Sequence, residues 1–217
     1  MKGLLIKDFK LLKNQRNFFV LIIIAALVMD SSLGDTTVII GYLTFIGSLF
    51  TLSTISYDEL DNGYPFLFSL PVTRKGYALE KYLFGFLFST GVWLFGILIA
   101  LCASLIRNKT LDSDFFLSAL AFLPIFLILL ALMLPLQLKF GGEKARIVII
   151  IIGAGVFAVS FFGIKLAKNI GLDISAAAND ISQIPIAIIF IATSIVALLL
   201  LIISTRISIG IMNKKEF

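Results

Sequence analysis

Histidine is missing from this sequence, cysteine occurs once, and only 14% of the 217 residues are Asp, Glu, Lys or Arg, against about 25% in ordinary soluble domains. Without histidine, neither a His/Cys metal site nor a His-based triad assembles. Cys102 has no intrachain disulfide partner and, lying in an apolar run, reads as a small packing residue. No G-x-x-x-x-G-K-[ST] string occurs, so the chain has no P-loop for ATP. The apolar runs also lack central acids. All 13 Asp and Glu fall in loops, tails or run ends, which removes the coupling groups that a proton- or sodium-driven carrier needs. Asp58, Glu59 and Asp61 do cluster beside one run, where such spacing reads as capping and solvation rather than as catalysis or metal binding.

What the sequence has in abundance is apolar surface. Hydrophobic residues make up 59% of the chain, with 21 Phe and a mean hydropathy of +1.07, more than a 23.8 kDa core can hide. The expectation is a single all-α integral membrane domain over 1–217. Six runs approach the ~20 residues that cross ~30 Å of hydrocarbon: 18–33, 37–56, 82–106, 115–138, 147–166 and 185–205. They lack period-two alternation, so they predict helices and not a barrel. The first run follows five positive charges, as in a secretory signal peptide, but no small-x-small cleavage site follows it, and it reads as a retained span.

The net charge of +5 does not gather on one soluble face, which argues against nucleic acid as a partner. Fourteen of the 18 Lys and Arg lie in the N-terminal arm, the second and fourth loops and the tail, and four lie in the alternate connections. By the positive-inside rule both termini are cytoplasmic. Pro124 predicts a kink in the fourth span, and Pro185 suits the first turn of the last.

Two segments on the basic side carry information. Residues 1–16 predict an amphipathic helix on the membrane surface, with Leu4, Leu5, Phe9, Leu11 and Leu12 on one face and Lys2, Lys7, Lys10 and Lys13 on the other; Ile6 and Asp8 break the pattern. The loop 57–81 holds a short turn bounded by Pro65 and Pro71 that is expected to expose Phe66, Leu67, Phe68 and Leu70. Such a turn either dips into lipid or fills a groove on another protein.

The Asp58-Glu59 pair at the end of the second span, the string Ser69-Leu70-Pro71-Val72-Thr73-Arg74 and the following Glu80-Lys81-Tyr82 resemble the membrane subunits of ABC-2 type ABC transporters. The resemblance implies that the loop carries a coupling helix, so that Asp58, Glu59, Pro65, Phe66, Leu67, Phe68, Leu70, Pro71, Thr73 and Arg74 transmit motion from a separate ATP-binding subunit. It also implies that ATP and Mg reside on that subunit, that this chain is no enzyme, and that a second permease copy or paralogue completes the transporter in a bacterial cell membrane. The small size looks most like compact exporters of amphipathic or hydrophobic peptides, such as phenol-soluble modulins or antimicrobial peptides. The competing expectation is a non-transporting scaffold or self-protection protein against peptide toxins.

Overall fold

The computed structural model describes residues 2–60, 63–108, 113–169 and 186–215, and every regular element among them is helical. In chain order these are α1 (Lys2–Asn14), α2 (Arg16–Leu33), α3 (Thr37–Glu59), α4 (Gly63–Ser69), α5 (Arg74–Ile106), α6 (Ser113–Asn169) and α7 (Ile186–Lys214). Five stretches among the described residues are long and apolar enough to cross a membrane: Arg16–Leu33, Thr37–Glu59, Arg74–Ile106, Phe115–Gly142 and Ala187–Lys214. The expected span 147–166 is helical and lies within α6, outside those five. Pro185 lies outside the described residues.

Helix ends follow local chemistry. Gly34, at φ 72°, closes α2 in the left-handed conformation, which glycine adopts without steric cost. Asp35 then starts α3 by accepting from the Thr37 N–H at 2.9 Å and the Thr37 hydroxyl at 2.7 Å. Thr73 caps α5, its Oγ1 accepting from Gly76 N–H at 3.0 Å. At the far end of α5, Arg107 pairs with the buried Asp30 carboxylate at 2.8 Å and so ties α5 to α2.

α3 is the central helix, packed against α2, α5 and α6, while α6 packs on α7. Close approach of α3 and α5 uses small residues: a side chain at Gly47 would meet Val92 at 3.1 Å, and one at Gly85 would meet Leu130 at 2.8 Å and Thr51 at 2.9 Å. One apolar cluster around Ile39, Ile40, Ala100 and Phe115 lies at one end of the bundle. A second, around Ile55, Tyr77, Leu134 and Met212, draws in α1 and α4 at the other.

Several details differ from the sequence expectation. The backbone stays helical through Pro124 and Pro135, and the non-helical residue inside α6 is Gly141, at φ 77° and ψ 171°. Membrane helices accommodate proline because neighbouring groups satisfy the freed carbonyl, whereas a left-handed break needs glycine. Cys102 is exposed on the bundle surface and is not a packing residue. α5 begins at Arg74, eight residues before the expected span. Its 33 residues span roughly 50 Å at ~1.5 Å per residue, enough to cross ~30 Å of hydrocarbon and project well beyond it. The tail of the expected loop 57–81 is thus the protruding base of α5, its start is the end of α3, and α4 with residues 70–73 is what remains as connector.

Candidate coupling site

The end of the bundle that carries α1 and α4 holds most of the buried charge among the described residues. α1 is helical over Lys2–Asn14, and the residue that breaks its amphipathic pattern explains how it is seated. Asp8 is fully buried, and its Oδ2 lies 2.5 Å from Lys81 Nζ, itself fully buried at the base of α5. Lys81 also reaches Asp58 Oδ2 at 2.9 Å and donates to Thr54 Oγ1 at 3.2 Å. Lys7 bonds the other Asp58 oxygen and lies 3.3 Å from Asp8, and Tyr77 donates its phenolic proton to Asp58 at 3.0 Å. Glu80 stands 3.9 Å from Lys81, with neither carboxylate oxygen hydrogen-bonded among the described residues. Burying an ion costs several kcal/mol unless partners surround it, and here two lysines from α1 and α5 sit among three carboxylates from α1, α3 and α5. The cluster fixes the base of those three helices in one arrangement. Of the apolar face assigned to α1, Leu4 is buried in the core, Leu5, Leu11 and Leu12 are half-buried, and Phe9 remains exposed while its ring meets Phe84 edge-on at 5.4 Å.

Glu59, adjacent to Asp58, serves a different neighbour. Its Oε2 accepts from the Gly142 N–H at 2.8 Å, just past the break in α6. In an uninterrupted helix that N–H would bond the Leu138 carbonyl; instead, Lys215 donates to the Leu138 carbonyl at 3.1 Å and lies 3.6 Å from Glu59. Gln137 donates to Ser56 Oγ at 2.8 Å beside them. An open cavity of about 640 Å³ lies over the break, lined by Ser53, Ser56, Tyr57, Glu59, Gly142 and Lys144.

α4 lies across these two clusters. Its inner side is fixed: Tyr64 and Leu67 are buried, Phe68 is half-buried, and Tyr64, Phe68 and Tyr77 form an aromatic trio with ring centres 5.8 to 6.2 Å apart. Burial raises the Tyr64 pKa well above the ordinary phenol range, and Lys215 Nζ stands 4.7 Å from its ring. The outer side is bare, with Phe66 72% and Leu70 46% exposed. The expectation that Leu67 and Phe68 are also exposed is corrected, because a helical turn cannot present four nearly consecutive side chains to one side. The helix also starts at Gly63, before Pro65, and ends at Ser69, before Pro71; Pro65, Pro71 and Thr73 are exposed. Arg74 turns inward and donates to the Asn213 carbonyl at 3.0 Å, near the end of α7.

The Lys7, Lys215 and Arg74 contacts place both described chain ends on one side of the bundle, together with α4. A family model described as "ABC-2 family transporter protein" matches residues 3–213. The chain belongs to the ABC-2 transporter family. No curated protein and no solved structure matches it. Within an ABC-2 family member, the residues singled out from sequence fall into two groups. Asp58 and Glu59 tie the end of α3 to α1, α5, α6 and Lys215, Leu67 and Phe68 seat the connector against Tyr77, Arg74 ties the base of α5 to α7, and Pro65, Phe66, Leu70, Pro71 and Thr73 form the exposed edge. Tyr77, Gln137 and Lys215 are partners that sequence reasoning did not single out, and Lys7, Asp8 and Lys81 were named there without these contacts. The acid interrupting a basic amphipathic helix at Asp8 and the Lys81 of the quoted Glu80-Lys81-Tyr82 string were the available signals. Tyr82 of that string is buried and hydrogen-bonds Ser208 on α7 at 2.8 Å.

Proposed function

We propose that this ABC-2 family protein is the membrane-spanning permease subunit of an ATP-driven exporter, coupled through α4 to a separate ATP-binding subunit that carries ATP and Mg. The observation that carries the reading is the division of the connector into an exposed apolar edge, Phe66 and Leu70, and an inner side on which Tyr64 and Phe68 pack against Tyr77 of α5, with Lys215 at the end of α7 over the Tyr64 ring and α3 alongside. A partner that pulls on the edge moves a unit already linked to three membrane helices.

Topology supports a sixth span. Gly142 and the end of α7 lie at the same end of the bundle through Glu59 and Lys215. The 29-residue α7 is roughly 43 Å long, so its start lies at the opposite end. The chain therefore has to return between them, the task assigned to 147–166. With the basic segments inside, both termini are cytoplasmic and the membrane is that of a bacterial cell.

The cargo we propose is an amphipathic or hydrophobic peptide, carried by two such permease subunits together. Its support is chemical: the spans offer Phe, Leu, Ile and small residues, while Asp30 and Asp58 are held at helix ends, Glu80 in the base of α5 and Asp8 on α1, outside the span candidates. Copurification of the full chain from its native membrane tests the reading. A companion that hydrolyses ATP and is lost in Phe66→Asp is expected; a chain that protects cells from peptide toxins with no ATPase present would instead make it a scaffold.

A further inference from the structure

An apolar groove lies between α2, α3 and α5, next to the α1–α2 junction and separate from α4. Phe19, Ile23, Ile46, Phe88 and Val92 line it, it encloses about 370 Å³, and Lys13 and Arg16 stand at its end. Its lining runs from Arg16 to Ile23 on α2 and from Phe88 to Phe95 on α5, roughly 10 Å along each axis. Both cations are exposed, and neither pairs with a carboxylate among the described residues. α2 also starts without a side-chain cap, with Gln15 at the capping position, so its partial positive charge adds to the same end. Gln15 holds this junction in place by donating to Tyr57 Oη at 2.7 Å.

A greasy slot with paired cations at one end matches a molecule that is apolar along its length and anionic at its tip. We propose that the groove binds an anionic phospholipid from the leaflet on the α1 side, one acyl chain lying against Phe19, Ile46 and Val92 and the phosphate between Lys13 and Arg16. Water-facing helices gain nothing from such a slot, but a bundle in lipid has acyl chains in contact with it at all times. The cations then select among headgroups. The lipid would sit against the junction of α1 and α2, next to the aromatic chain in which Phe9, Phe84, Phe88 and Phe19 meet in turn at 5.4 to 6.0 Å. Lipid occupancy would thus brace the surface helix that delivers Asp8 to Lys81. The inference goes beyond the exporter reading and requires only that the bundle is in a membrane.

Native mass spectrometry of the purified full chain, offered phosphatidylglycerol or phosphatidylcholine with matched acyl chains, tests it. Retained phosphatidylglycerol and little phosphatidylcholine are expected. Retention should fall about fivefold for each charge removed in Lys13→Ala and Arg16→Ala, and should be unchanged in Lys75→Ala, whose side chain is exposed outside the groove. Ile46→Phe, which fills the slot and leaves the cations, should lower retention as well. Equal retention of both lipids, or indifference to the Lys13→Ala/Arg16→Ala pair, would overturn the assignment. So would efficient disulfide crosslinking of two chains through Ile46→Cys in a Cys102→Ser background, which gives the groove to a second copy.

Discussion

Glu59 and Lys215 occupy the two halves of one missing helical hydrogen bond. Glu59 takes the Gly142 N–H and Lys215 takes the Leu138 carbonyl, the donor and acceptor that would face each other in an unbroken α6. The two side chains are 3.6 Å apart, so the ends of α3 and α7 meet at the break. The gap in α6 is therefore a built junction, with its backbone groups satisfied by residues from elsewhere in the chain.

Gly141 makes that junction possible, and its replacement is the sharpest test of it. At φ 77° a side chain is strained, and a Cβ would fall 2.5 Å from Glu59 Oε1. Gly141→Ala should lower stability by about 1–3 kcal/mol or more, read as a lower thermal unfolding temperature in detergent. Gly210→Ala, inside α7 with no described atom within 4 Å of an added side chain, is the control and should leave that temperature unchanged or slightly raised.

The buried ion cluster predicts a non-additive pair. Lys81→Met removes the buried cation between Asp8 and Asp58 and leaves them the half-buried Lys7, and a loss of up to about 3–5 kcal/mol is expected. Adding Asp8→Asn to Lys81→Met removes one stranded charge and should recover part of the loss. A double-mutant cycle measures this; additive effects would mean that the two residues do not interact.

The two faces of α4 should respond oppositely to truncation. Leu67→Ala deletes a core side chain and should cost about 2–4 kcal/mol of stability. Phe66→Ala should leave the unfolding temperature unchanged, since its ring is 72% exposed, while weakening retention of the ATP-binding companion during purification. Equal destabilisation by both would contradict the division of the helix.

Element identity was legible where it depended on local composition, and harder to read where it depended on distant partners. Apolar runs and flanking charges located α2, α3, α5, the first part of α6 and α7, since lipid demands continuous apolar helices. The Phe66 edge was visible in the proline-bounded turn. That Leu67 and Phe68 face inward depends on where α4 sits over Tyr77, which no local pattern encodes. Lys81 reads in sequence as one more loop cation; only the fold brings Asp8 to it, 73 residues away. Pro124 and Gly141 show the same limit. The proline advertised a break that its surroundings absorbed, while the break itself rests on a glycine whose partners, Glu59 and Lys215, lie at the ends of two other helices.

The most direct test of coupling through α4 is crosslinking from its outer edge. In a Cys102→Ser background, Phe66→Cys in native membranes should crosslink to a second protein that photolabels with azido-ATP, and Leu67→Cys should not. A Phe66→Cys variant whose thiol labels only from the face opposite Lys7 and Lys215, or that yields no ATP-binding adduct with the transporter active, would contradict the account.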